Sequence, residues 1–189
     1  MAKPAKPEVT VSPTLSLTAW PGDGSIQGRK IALLMAPGVD GELVLQVQEA
    51  LLAKGAVPCL VGPRIGLVAT ADGGALTAEV SLENEAGFLF DALVLPDGKA
   101  GVEALAKEDH TMEFIKDQYR HCKALLVLGA SKGLLDKAGV PTTLPDGRPD
   151  TGLIIAAAGS GRTAEVTQTF IAAAALHRHM KRETDPPRV

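Results

Sequence analysis

At 189 residues with 46% hydrophobic side chains, the chain can bury one substantial core and lies near the usual size of a single domain. A net charge of −3 leaves no global positive field, which argues against nucleic acid or an anionic membrane as the main partner. No apolar run approaches the roughly 20 residues needed to span a bilayer, and the opening MAKPAKPEV lacks the apolar centre of a signal peptide, so a cytoplasmic location is expected. The two cysteines, Cys59 and Cys122, have neither a Cys-x-x-Cys spacing nor histidines placed for zinc, so both are expected to be reduced and structural, with no metal site. Aromatic residues are only 3%, which points to an aliphatic, alanine-rich core without a stacking platform for bases.

Residues 1–28 are rich in proline and lysine and read as a flexible tail; the packed domain is expected over 29–189. Residues 29–35 (RKIALLM) form a buried strand, 36–41 a loop, and 42–54 a helix closed by Gly55 with Leu43, Val47, Ala50 and Leu51 on its inner face. Residues 56–61 are a second strand. Two short strands about the glycine turn 71–74 then suggest an inserted β-hairpin at the sheet edge. Another buried strand ends at Pro96-Asp97-Gly98, helices follow at about 101–106 and 110–122, and the run 124–128 (ALLVL) is a strand covered on both faces. A last strand at 153–155 and a long helix over 163–181, with Thr163 as its N-cap, complete the chain. Strands alternating with helices imply an α/β fold of the doubly wound type, a mostly parallel sheet with helices on both faces.

The centre of this pattern is 124–140, ALLVLGASKGLLDKAGV, a strand, a tight turn at Gly129-Ala130-Ser131, and a helix from about Lys132 to Ala138. Strand ends of open α/β sheets are where nucleophiles are presented and ligands bind. Here the apex is Gly129, which takes a strained backbone freely and carries no nucleophile.

These elements resemble the flavodoxin-like class I glutamine-amidotransferase-like superfamily, in which an acid after the first strand supports a cysteine at the elbow apex and a glycine pair supplies oxyanion amides. The resemblance puts Gly129 at the cysteine, Ala130 at the following histidine and Val39 at the acid, and leaves Gly98 as the remaining oxyanion feature. A closer resemblance is carried by PGDGSIQGRKIALL (21–34), DQYRHCKALLVLGAS (117–131), LPDGRPDTGL (144–153) and HRHMKRETDPPRV (177–189), which are similar to the C-terminal domain of large-subunit monofunctional haem catalases; VSPTLSL (11–17) is similar to the segment leading into it.

That resemblance implies a non-catalytic accessory domain, no cofactor in this chain, haem in the catalase core of a longer parent, and that core and other subunits as partners. Homo-oligomer formation stays open, as does a chaperone-like extension. The alternative is a hydrolase or deglycase with a rearranged site. If the elbow geometry is inherited, Gly129→Cys is expected to cost about 1–3 kcal/mol, the strain of a side chain in a sparsely allowed conformation.

Other residue groups have weaker claims. Tyr119 lies on a helix without haem-ligand context and is expected to pack structurally. His177 and His179, two residues apart, point to different helix faces and chelate poorly, so they read with Arg178, Lys181 and Arg182 as a solvated basic helix end. Gly159-Ser160-Gly161-Arg162 has the look of a phosphate cradle without the rest of the motif. Ser131 and Lys132 are adjacent and poorly placed for a dyad. Cys122 precedes its strand, at the wrong end of the sheet for a nucleophile.

Overall fold

The computed structural model describes residues 11–16, 22–158 and 161–189. Six strands form one parallel sheet: β1 (Lys30–Leu34), β2 (Val57–Gly62), β5 (Val80–Ser81), β6 (Ala92–Leu95), β7 (Ala124–Leu128) and β8 (Leu153–Ala156), in the spatial order β5-β2-β1-β6-β7-β8. The helices are α1 (Gly41–Leu52), α2 (Lys99–Leu105), α3 (Asp109–Arg120), α4 (Lys132–Ala138) and α5 (Thr163–Ala175). The expected hairpin is β3 (Gly66–Ala69) with β4 (Ala75–Ala78), antiparallel and forming its own two-stranded sheet before the edge strand β5.

Period-two alternation sorts the strand residues between two cores. Ile31, Leu33, Met35, Val94, Leu126 and Leu128 face α1 and α5, where they meet Val47, Leu51 and Phe170. Ala32, Leu34, Leu93, Leu95, Leu125 and Val127 face α3 and α4, where they meet Phe114, Ile115, Leu134 and Leu135. Both faces are covered, which is why these strands read as continuous apolar runs.

Three boundaries differ from expectation. Ile26, expected in the tail, is 1% exposed within the core, because a turn closed by Arg29 N to Ile26 O at 3.0 Å folds it inward while Gly28 N bonds Gly55 O at 2.8 Å. One isoleucine among polar residues gives no periodic signal. On α1, which capping by Asp40 starts at Gly41, Val44 joins Val47 and Leu51 on the buried face, while Leu43 packs partly buried against the same core and Ala50 is half-buried. The last helix stops at Ala175, and Thr163 is its first residue rather than its cap.

The chain beyond α5 turns back into the protein, so the solvated basic end is not found. His179 N donates to Cys122 O at 2.6 Å, and its imidazole Nε2 lies 3.1 Å from Ala173 O. Arg182 is buried and pairs bidentately with Asp150, Nε–Oδ2 2.6 Å and Nη2–Oδ1 3.1 Å, while its Nη1 donates to Lys123 O. Both side chains of this pair are 1% exposed. The guanidinium carbon also stands 4.8 Å from the Tyr119 ring centre.

Burial lowers the His177 and His179 pKa values, helped at His177 by Arg29, whose guanidinium touches Nδ1, and at His179 by Arg182. The folded state therefore keeps both neutral below the usual value of about 6.5, while the unfolded chain takes up protons there. Stability should be fully present above pH 6.5 and fall as the pH drops toward the folded values. Denaturant midpoints from about pH 7.5 to about pH 5.5 check this, and His177→Gln/His179→Gln should flatten the profile.

Candidate functional site

The sheet reverses its direction of growth at β1, whose neighbours β2 and β6 lead outward to opposite edges, and ligands of open α/β sheets bind outside the strand carboxyl ends at such a point. The loops meeting there begin at Met35, Pro96 and Gly129. Asp40 N donates to Asp97 O at 3.0 Å and joins two of them. A cavity of about 330 Å³ opens between these loops and α5, lined among others by Asp40, Leu43, Asp97, Gly129, Ala156 and Thr163.

Gly129 has φ +56, so the strand-to-helix elbow has the left-handed backbone at its apex. The pairing of Leu95 with Val127 in adjacent parallel strands brings Asp97 level with Gly129, two residues farther on. The carboxylate is turned over the elbow: Asp97 Oδ1 accepts from Gly98 N at 2.7 Å and from Ala130 N at 2.9 Å. A Cβ on Gly129 would lie 1.8 Å from Asp97 Oδ2. The space a nucleophile would occupy is thus filled by an internal anion, which takes up two amides suited to an oxyanion.

Gly129, Ala130 and Gly98 therefore come together around Asp97. Gly98 is demanded by packing as well, since its φ is +122 and a Cβ there would meet Asp40 N and Gly38 O at 2.7 Å. Val39 is 3% exposed and its side chain joins the core, and the acids bordering this cavity are Asp40, Glu42 and Asp97. Asp40 is itself engaged, capping α1 through Oδ1 to Leu43 N at 3.0 Å. The expected low cost of Gly129→Cys is corrected too, because backbone strain is joined by collision with Asp97.

Sequence reasoning passed over Asp97. The signal was an acid two residues beyond a buried strand, beside a strand whose elbow also lies two residues beyond its end. The Asp150–Arg182 pair was also missed, because residues 32 apart carry no local pattern.

The remaining candidates are dispersed. Ser131 is buried and its Oγ donates to Pro96 O. Gly159 and Ser160 lie outside the described residues, while the Arg162 guanidinium pairs with Glu165 at 2.5 Å. Among the described residues no three histidine, cysteine or acidic side chains gather to hold a metal ion, and no helix is long and apolar enough to cross a membrane.

Both cysteines are buried and free. Burial, reinforced by Glu79, pushes the Cys59 thiol up to about 11, and burial also raises Cys122. Since the thiolate is the nucleophile, iodoacetamide at neutral pH should label each far more slowly than an exposed cysteine does. Rapid labelling in the folded chain contradicts this.

This doubly wound parallel sheet is the fold of solved DJ-1 and ThiJ/PfpI-like proteins, a class I glutamine-amidotransferase-like fold. Among solved structures, Drosophila melanogaster DJ-1beta superposes with a TM-score of 0.67 at 19% identity, covering 82% of this chain and 94% of that one. Oxidized Toxoplasma gondii DJ-1 gives 0.65 at 15%, covering 79% and 96%. Within that fold the chain belongs to a particular family, the C-terminal domain found in long catalases, which matches residues 27–184. Catalase HPII of Pseudomonas putida is 35% identical over 176 residues, 93% of this chain and 23% of that protein, and catalase HPII of Mycobacterium avium is 33% identical over 180 residues, 93% and 25%. The chain thus spans about a quarter of the length of these relatives.

Proposed function

We propose that the chain is a non-catalytic accessory domain of a long haem catalase and contributes to the stability and assembly of its subunits. Peroxide dismutation and haem belong, in this reading, to the larger part of the parent outside the chain. The observation that carries it is the Asp97 carboxylate lying over Gly129: the one place where this fold presents a nucleophile holds no side chain and is closed by an anion. The same filling disfavours a hydrolase or deglycase.

The residues do not fit haem. Tyr119, the single tyrosine, has its ring beneath the Arg182 guanidinium and its hydroxyl buried, so the iron of a bulky macrocycle cannot come within bonding distance of that oxygen. The reading is tested by comparing a long catalase with and without this domain. Peroxide turnover per haem should survive in molecules that stay assembled, while the truncated form dissociates at lower denaturant and loses activity at lower temperature. Equal resistance and unchanged assembly overturn it.

A further inference from the structure

We propose that the cavity between the end of α3 and residues 182–189 is a binding site for a small amphipathic carboxylic acid, with the carboxylate at the Tyr119 hydroxyl. This cavity, about 490 Å³, lies on the opposite side of the fold from any site used above and is within the size range of small-molecule pockets. Tyr119 borders it and is 2% exposed, yet its hydroxyl has no hydrogen-bond partner among the described residues. A buried phenol without a partner is costly, and a native structure that keeps one calls for an explanation.

Charge decides what the partner is. Arg182 is consumed by Asp150 and the Lys123 carbonyl, but its guanidinium covers the Tyr119 ring. The charges that bear on the phenol are led by Arg182 and Arg188, both cationic, with Asp150 already paired. Glu183 and Asp185 also border the cavity, against the three guanidinium groups of Arg120, Arg182 and Arg188, and it is Arg182 that stands at the Tyr119 ring, so the phenol end is the electropositive one. A phenol O–H donating beside a guanidinium is suited to an oxyanion. The ring of Tyr119 with Cys122, Pro187 and Val189 supplies the apolar wall for the rest of the molecule.

Access is consistent with this. The covering segment is exposed from residue 183 to 188, and its side-chain ties are Arg120 Nε to the main-chain oxygen of Val189 at 2.7 Å and Arg188 Nη1 to Thr143 O at 2.8 Å. A carboxylate oxygen at the phenol needs only the width of a hydrogen bond, whereas a macrocycle needs far more.

The test titrates the full 189-residue chain with octanoate, and with octanol as the uncharged control, by calorimetry and by near-ultraviolet difference spectroscopy, where the single tyrosine is a site-specific reporter. Octanoate should bind at one site and perturb the tyrosine spectrum; octanol should bind at least about tenfold more weakly. Tyr119→Phe and Arg188→Gln should each weaken octanoate about tenfold or more. Tyr119→Phe should also raise the denaturation midpoint of the unliganded chain, because it removes an unpaired buried hydroxyl. Absence of saturable octanoate binding, equal binding of octanol, or affinity unchanged in both variants overturns the proposal.

Discussion

Asp150→Ala is expected to lower the unfolding free energy by about 3–5 kcal/mol, a large part of the roughly 5–15 kcal/mol typical of a domain. The substitution leaves the Arg182 guanidinium buried without its counter-charge and strips Gly152 N of the Asp150 Oδ1 acceptor, 2.9 Å away. The damage should be regional, since Arg182 ties the segment after α5 to Lys123 at the start of β7, and Tyr119 packs against the same guanidinium. Arg182→Met should cost a similar amount by exposing the mirror defect, a buried carboxylate. The double variant Asp150→Leu/Arg182→Met should recover much of the loss, because removing both charges removes both desolvation penalties. Urea midpoints followed by circular dichroism measure all three. Additive losses in the double variant, or single losses below about 1 kcal/mol, would show that the pair is not closed to solvent as described.

Gly129→Cys is expected to cost about 3–6 kcal/mol, more than backbone strain alone. A side chain at φ +56 costs about 1–3 kcal/mol, and the new Cβ must also expel Asp97 from the space 1.8 Å away, breaking its charge-assisted bonds from Gly98 N and Ala130 N. Asp97→Ala removes the obstacle, so the double variant should return toward strain alone, giving a coupling of about 2 kcal/mol in a double-mutant cycle. Its thiol would then face the two released amides, which favour the thiolate, and should alkylate much faster at neutral pH than Cys59 or Cys122. A cycle without coupling would mean that Asp97 does not occupy the place of the missing nucleophile. A coupled cycle with a sluggish thiol would mean that the amides do not converge on the sulfur.

The amino-acid order alone determined much of this protein. Continuous apolar runs such as ALLVL at 124–128, five residues long and closed by glycine, point to covered strands, their alternation with helical patterns implies a parallel sheet, and Gly129 after a buried strand marks a turn open to a left-handed backbone. These features are local, set by period, propensity and a missing Cβ. What the tertiary structure decided are relations between distant residues: Asp97 over Gly129 through the register of β6 on β7, Asp150 with Arg182, Tyr119 under that guanidinium, and Ile26 folded into the core. A basic run after an alanine-rich helix looks solvated until a carboxylate 32 positions earlier is brought beside it. Pairing of charges across such distances follows from how the chain packs, and packing is a property of the whole fold that no short window of residues contains.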